Sequence, residues 1–296
     1  MWILATLFAA ACQSVRTAHQ KNLSQHAGFL HATMARSLFG LPLVSLYLAG
    51  LWWTIGATTL PTTTAADYSG WVMACAVSQI LATWLMLRVF QSGSFMLGSM
   101  LAKTEAVMAA VIAIPLLHHE LTTLAWCGVI LGVLGAMTMG IKASGLKNLW
   151  RDASLWPGLA SGLCFAITAV SASKASHTLD GPVLVNAAMT LWLVLLIQSI
   201  ILCSLQIRQQ RDWLAPIRQQ RPLSIKVGVL SSMGSIGWFT GFALVNPALV
   251  KTLGQIEVLG TLYFSKKRFA EHISRQQWLG GTMILASVLM VTLERL

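Results

Sequence analysis

Residues 101–139 read LAKTEAVMAAVIAIPLLHHELTTLAWCGVILGVLGAMTM, and residues 253–291 read LGQIEVLGTLYFSKKRFAEHISRQQWLGGTMILASVLMV. The two align without a gap at an offset of 152 residues. Leu101 falls on Leu253, Glu105 on Glu257, Leu121 on Ile273, Thr122 on Ser274, Trp126 on Trp278 and Gly128 on Gly280. Upstream, in the same register, Phe90 falls on Phe242, Leu97 on Leu249 and Cys12 on Cys164. Apolar residues repeat by chance; Glu, Trp and Gly in one register do not. The chain reads as a duplicated membrane unit, and internal repeats of this kind mark transporter folds.

Composition agrees. The chain is 56% hydrophobic and 10% charged, with mean hydropathy +0.69, where a soluble domain carries about 25% charged residues. Apolar runs follow one another at membrane-helix length, which excludes a soluble helical enzyme. The formal charge of +11 is crowded into a few connectors, so anionic lipid and topology account for it and nucleic acid does not. Cys12, Cys75, Cys127, Cys164 and Cys203 stand singly in apolar runs and read as small buried hydrophobes. The adjacent His118 and His119 point apart on a helix, and no HExxH follows, so no metal site is expected. No cofactor is expected. Met1 to Ala11 lacks a basic leader and reads as part of the first membrane helix.

Ten spans are expected: 2–18, 29–55, 68–90, 95–117 and 121–141, then 153–176, 182–207, 223–245, 247–264 and 273–293. Gly93 turns the chain between spans 3 and 4, and Asp180-Gly181-Pro182 between spans 6 and 7. Pro247 suits the first turn of span 9. The units are residues 1–141 and 153–296, joined by the polar seam 142–152. Five spans per unit force the second copy to enter from the opposite face, which gives an all-α membrane protein of two inverted repeats. Lys21, Lys142, Lys147, Arg151, Arg208, Arg211, Arg218, Arg221, Lys266, Lys267 and Arg268 share one set of connectors. By the positive-inside rule both termini lie outside the cytoplasm.

With this layout the chain resembles the drug/metabolite transporter superfamily in its ten-helix EamA-like form. The features that carry the resemblance are the five-plus-five duplication, the short turns between spans 3 and 4 and spans 8 and 9, and Arg36 early in span 2. The Asn246-Pro247 start of span 9 and the pattern Glu120-Leu121-Thr122, Trp126 and Gly128 add to them. Two departures stand out. Phe95 replaces proline at the position matching Pro247, and the connector between spans 2 and 3 holds no Lys or Arg. Relatives are described with cytoplasmic termini, opposite to the charge bias here. The resemblance implies a secondary transporter of small organic solutes, an exporter working by alternating access in a bacterial inner membrane. It implies a central cavity lined by the first four helices of each repeat, with spans 5 and 10 peripheral.

Ionisable groups inside membrane helices cost about 2.5–3.5 kcal/mol each on insertion scales and survive in wet cavities or as pairs. Arg36, Lys103, Glu105, Lys251 and Glu257 lie deepest; Arg16, Lys174 and Arg88 are placed near span ends, where they snorkel. Glu105 and Glu257, equivalent in the two repeats, are the proton-coupling candidates; the competing role is a permanent pairing with a buried cation such as Arg36 or Lys103. Lys251 and Gln255, four apart, are expected on one helix face, whereas Lys103 and Glu105, two apart, are not. Three deep cations against two anions favour an anionic or zwitterionic solute. Gln13, Gln79, Trp84, Asn186 and Trp238 complete the cavity candidates. Gly128, Gly132 and Gly135 form a small face on span 5, for helix packing or for a homodimer as against a monomer. The rival classes are a membrane-embedded enzyme, for which His118, His119 and Glu120 are the compact polar cluster, and a receptor or scaffold that does not transport.

Overall fold

The computed structural model describes residues 1–57, 65–91, 102–117, 121–140, 155–209, 215–258 and 274–293. The helices are α1 Trp2–Leu38, α2 Leu41–Thr54, α3 Ala65–Gln91, α4 Glu105–Leu117, α5 Thr123–Gly140 and α6 Leu155–Thr178. They continue as α7 Val183–Gln209, α8 Ala215–Gln219, α9 Arg221–Leu244, α10 Pro247–Gly254 and α11 Arg275–Leu293. The chain is an all-α integral membrane protein of ten spans in two inverted five-helix repeats, with α8 a short turn inside the basic connector. Trp2–Thr54, Ala66–Val89, Leu155–Thr178, Val183–Gln209 and Arg221–Leu244 are long and apolar enough to cross a bilayer. The first of these holds two spans.

Those two spans meet at Gly28, whose φ of 82° and ψ of 166° interrupt α1; that backbone is open to glycine and closed to most side chains. A continuous helix would hold Gln20 and Ala32 about 18 Å apart at about 1.5 Å per residue. Instead Gln20 Nε2 donates to the Ala32 carbonyl at 3.2 Å, so the chain folds back on itself. Span 2 thus begins at Phe29 as expected. Span 1 does not end near Ala18: it continues to the corner, because Cys12, Arg16, Gln20 and Ser24 form one buried stripe at a spacing of four. Span 2 breaks again at Phe39-Gly40, where α2 restarts with proline in its first turn. A side chain at Gly40 would run into Ser232 and the Arg36 carbonyl of the preceding turn.

The repeats interlock. Helix α1 lies against α9 and α3 against α6, the most extensive contacts together with α5 on α11. Exchanging the first and third helices of one repeat for those of the other reproduces the same pairing. The glycine face of α5 is filled from within the chain. A methyl group at Gly128 would meet Val291 Cγ2 at 2.8 Å, and one at Gly135 would meet the Gly280 carbonyl at 2.8 Å. These glycines therefore seat α11, as small residues do where membrane helices approach closely.

Helix α10 starts at Asn246-Pro247 as the sequence indicates. The Asn246 side chain caps it by accepting the Ala248 N–H at 2.9 Å. Removing such a cap costs about 1 kcal/mol. Asn246→Ala should therefore lower the thermal unfolding midpoint measurably in detergent, and an unchanged midpoint would show the cap to be idle. The turn at Gly93, Phe95, the His118–Glu120 cluster, the 142–152 seam, Arg211 and Lys266–Arg268 lie outside the described residues, as does much of the charge bias on which orientation rests.

Candidate functional site

Spans 4 and 9 are interrupted at matching places. Residues 103 and 104 form a turn just before α4, and residues 255 and 256 form one just after α10. These pairs correspond under the repeat offset. A helix broken inside a membrane frees backbone groups, and such breaks mark binding sites near the midplane. Here the charged residues gather around them.

Lys103 Nζ donates to Glu257 Oε2 at 2.8 Å, and Lys251 Nζ donates to Glu105 Oε2 at 3.0 Å. Both pairs are buried and both cross between repeats: each Glu is neutralised by a Lys of the other half. The two-residue spacing of Lys103 and Glu105 thus works as expected, sending one side chain to Glu257 and the other to Lys251. The pairs are not copies of each other. Lys103 corresponds to Gln255, and Lys251 corresponds to Ser99.

Around Glu257 the network extends to span 1. Gln13 Nε2 donates to Glu257 Oε2 at 2.8 Å, and Trp238 Nε1 donates to Gln13 Oε1 at 2.9 Å. The ammonium of Lys251 lies over three rings, at 4.8 Å from the Trp238 centroid and 5.5 Å from those of Phe165 and Phe242. Ring faces attract a desolvated cation by about 2 kcal/mol. Gly254 makes this possible, because a side chain there would run into the Trp238 ring. A cavity of about 40 Å³ opens among Gln13, Thr17, Lys103, Glu105, Phe165, Lys251 and Glu257. It admits roughly two or three waters, whereas a site for an organic ligand measures roughly 300–1,000 Å³. As bounded by the described residues, the centre is charged and has room for a few waters and no organic solute.

Of the sequence candidates, Gln13, Lys103, Glu105, Lys251, Glu257 and Trp238 converge here. Arg36 is buried beside them on the span-2 side and donates from Nη1 to Thr83 Oγ1 at 2.8 Å. It pairs with neither Glu. Four candidates stand elsewhere. Gln255, the C-cap of α10, does not join Lys251 at the cavity; its amide lies against Gly132 beside Ser287, and neither its nitrogen nor its oxygen finds a partner among the described residues. Gln79 accepts from Gln198 Nε2 at 2.8 Å, tying α3 to α7. Asn186 donates to the carbonyls of Leu179 and Gly181 and so holds the corner between α6 and α7. Trp84 is 38% exposed on the outer surface with the Arg88 guanidinium over its ring.

Sequence reasoning missed Arg16, Phe165 and Phe242. The polar run after Arg16 reads as a span end. The four-residue spacing of Cys12, Arg16 and Gln20 was the signal that the helix goes on. The phenylalanines are ordinary apolar residues whose role appears only when Lys251 is seated among them.

The family described as the EamA-like transporter family matches residues 1–141 and 154–293. A solved structure described only as "Crystal structure of protein" is similar at 14% sequence identity with a TM-score of 0.70, covering 99% of this chain and 96% of that one. That likeness supports the fold alone. No curated protein matches the chain.

Proposed function

The chain belongs to the EamA-like transporter family, whose members are transporters, and from that membership we propose that it is a secondary active carrier. It moves a small organic solute, anionic or zwitterionic, by alternating access through the centre between the repeats. The single observation that carries this is the pair of crossed Lys–Glu bridges at the interrupted helices. They tie one repeat to the other around the cavity, so the halves separate only when the bridges open. Buried in and beside the centre are four cations, Arg16, Arg36, Lys103 and Lys251, against two anions, Glu105 and Glu257. That excess favours a solute with negative charge.

Protons are the proposed coupling ion. A proton on Glu257 removes the charge that holds Lys103 and weakens its hold on Gln13; a proton on Glu105 releases Lys251. Net flux is outward, across a bacterial inner membrane. The experiment is counterflow of radiolabelled solutes in proteoliposomes, starting with solutes that raise the thermal midpoint, since a ligand stabilises the state it binds. Saturable, stereoselective exchange is expected. With that solute, Glu105→Gln and Glu257→Gln should flatten the dependence of flux on pH. An unchanged pH profile in both variants removes proton coupling, and absence of exchange for every stabilising solute removes the carrier.

A further inference from the structure

The two ion pairs consume both buried carboxylates of the centre and leave two arginines over. Arg16 is 7% exposed and Arg36 3% exposed. Neither forms an ion pair among the described residues. The Nε of each is buried without a hydrogen-bond partner, and the one hydrogen bond described for either guanidinium is from Arg36 to Thr83.

The fold-back at Gly28 brings these two side chains together. Gln20, on one arm of the corner, bonds to Ala32 on the other. Arg16 lies four residues further out than Gln20, and Arg36 four residues further out than Ala32. Four residues are about one helical turn, so the two arginines stand at the same level across the hairpin, one turn deeper than the contact. Each lies within Coulombic reach of the other, and Arg16 also feels Glu257, which Lys103 and Gln13 already engage. Neither arginine lines the cavity itself; each sits next to a residue or turn that does. Gln13 and Thr17, which line it, bracket Arg16 along α1; Met86, which also lines it, is one turn from Thr83, which holds Arg36.

Two like charges at one buried level are unfavourable unless something of opposite sign comes between them. Guanidinium groups match the oxygens of carboxylate and phosphate by paired N–H donors, and always carry their charge. We infer that Arg16 and Arg36 form an oxyanion clamp that receives the acidic group, carboxylate or phosphate, of the solute. This rests on the carrier reading and assigns within it the part of the cargo that the arginines hold. The lysines, already paired and one of them seated on aromatic rings, serve the bridges instead.

The test is thermal unfolding of the full-length protein, purified in a neutral detergent, titrated with inorganic phosphate and separately with succinate at constant ionic strength. A rise of several degrees with at least one anion is expected. Arg16→Gln and Arg36→Gln should each abolish that rise. Their anion-free midpoints should equal or exceed the parent's, because each removes one of two repelling charges; a merely structural arginine would lower the midpoint on removal. No rise with either anion, or a rise of the same size in both variants, overturns the clamp. A rise produced by phosphatidylglycerol micelles and by neither soluble anion also overturns it, assigning the arginines to a lipid headgroup. Should solute counterflow persist in the Arg16→Gln and Arg36→Gln proteins at the parent's half-saturation, the clamp fails while the carrier reading stands.

Discussion

Lys251→Met is expected to lower the unfolding midpoint by roughly 5–15 °C and to abolish counterflow. The reason is the stranded partner. Glu105 sits at 3.0 Å from the ammonium in a buried position, and removing one member of such a pair costs about 3–5 kcal/mol because the other is left charged and buried without its partner. Adding Glu105→Gln removes that stranded charge, so the double variant should regain most of the lost stability. Replacing a buried pair by neutral groups is often nearly neutral overall. The two readouts then part company. If the bridge only supports packing, the double variant transports. The carrier reading expects it to be stable and still inactive. A double variant as unstable as the single would show that the two residues do not depend on each other, and restored flux would take the bridge out of the transport cycle.

Gly237→Leu should prevent recovery of folded, monodisperse protein, or failing that cost a large loss of midpoint. Helix α9 presents Gly234, Gly237 and Gly241 to α1, where small residues answer them. A methyl group at Gly237 would meet Ala9 Cβ at 2.9 Å and run into the Ala5 carbonyl; one at Gly241 would meet Thr6 Oγ1 at 3.2 Å. The obstacle at Gly237 includes backbone, which cannot swing aside, so the helices must part. Overpacking alone costs about 1–3 kcal/mol, and here it also strips the Gln13–Trp238 contact that spans the same seam. The control is Gly50, where an added methyl group would meet nothing within 4 Å: Gly50→Leu should fold normally. Equal behaviour of the two variants would sink the close-packed seam.

The repeat architecture was legible because duplication leaves a trace that needs no physics of packing: Glu105 and Glu257 mark it in register. Span positions follow from apolar length, and the start of α10 from Asn246-Pro247. What composition hid was the depth of span 1. Polar residues from Gln13 to Gln20 look like a span end to any hydropathy argument, yet here they face inward along a stripe. The site was half legible. Ionisable groups in apolar sequence announce themselves, so Lys103, Glu105, Lys251 and Glu257 stand out, with Lys103 and Arg36 as candidate partners for the carboxylates; that Lys103 takes Glu257 and Lys251 takes Glu105, across 154 and 146 residues of chain, is set by how the repeats interlock. The polar amides divided for the same reason. Gln13 joins the centre, while Gln79 and Asn186 satisfy neighbouring helices, and nothing local in the sequence separates the two fates.

On the carrier reading, the mismatch between the crossed bridges gives the protein a preferred resting pose. Inverted repeats reverse their facing by trading shapes, and under the repeat offset Lys103 corresponds to Gln255 and Lys251 to Ser99, so an exchange of roles would offer the two carboxylates no ammonium. At about 1.4 kcal/mol per tenfold, losing even a part of two buried charge pairs skews the unloaded population by orders of magnitude. The carrier reading therefore expects unequal half-saturation constants for loading from the two sides, with the bias residing at the two positions where the repeats differ, 103/255 and 99/251.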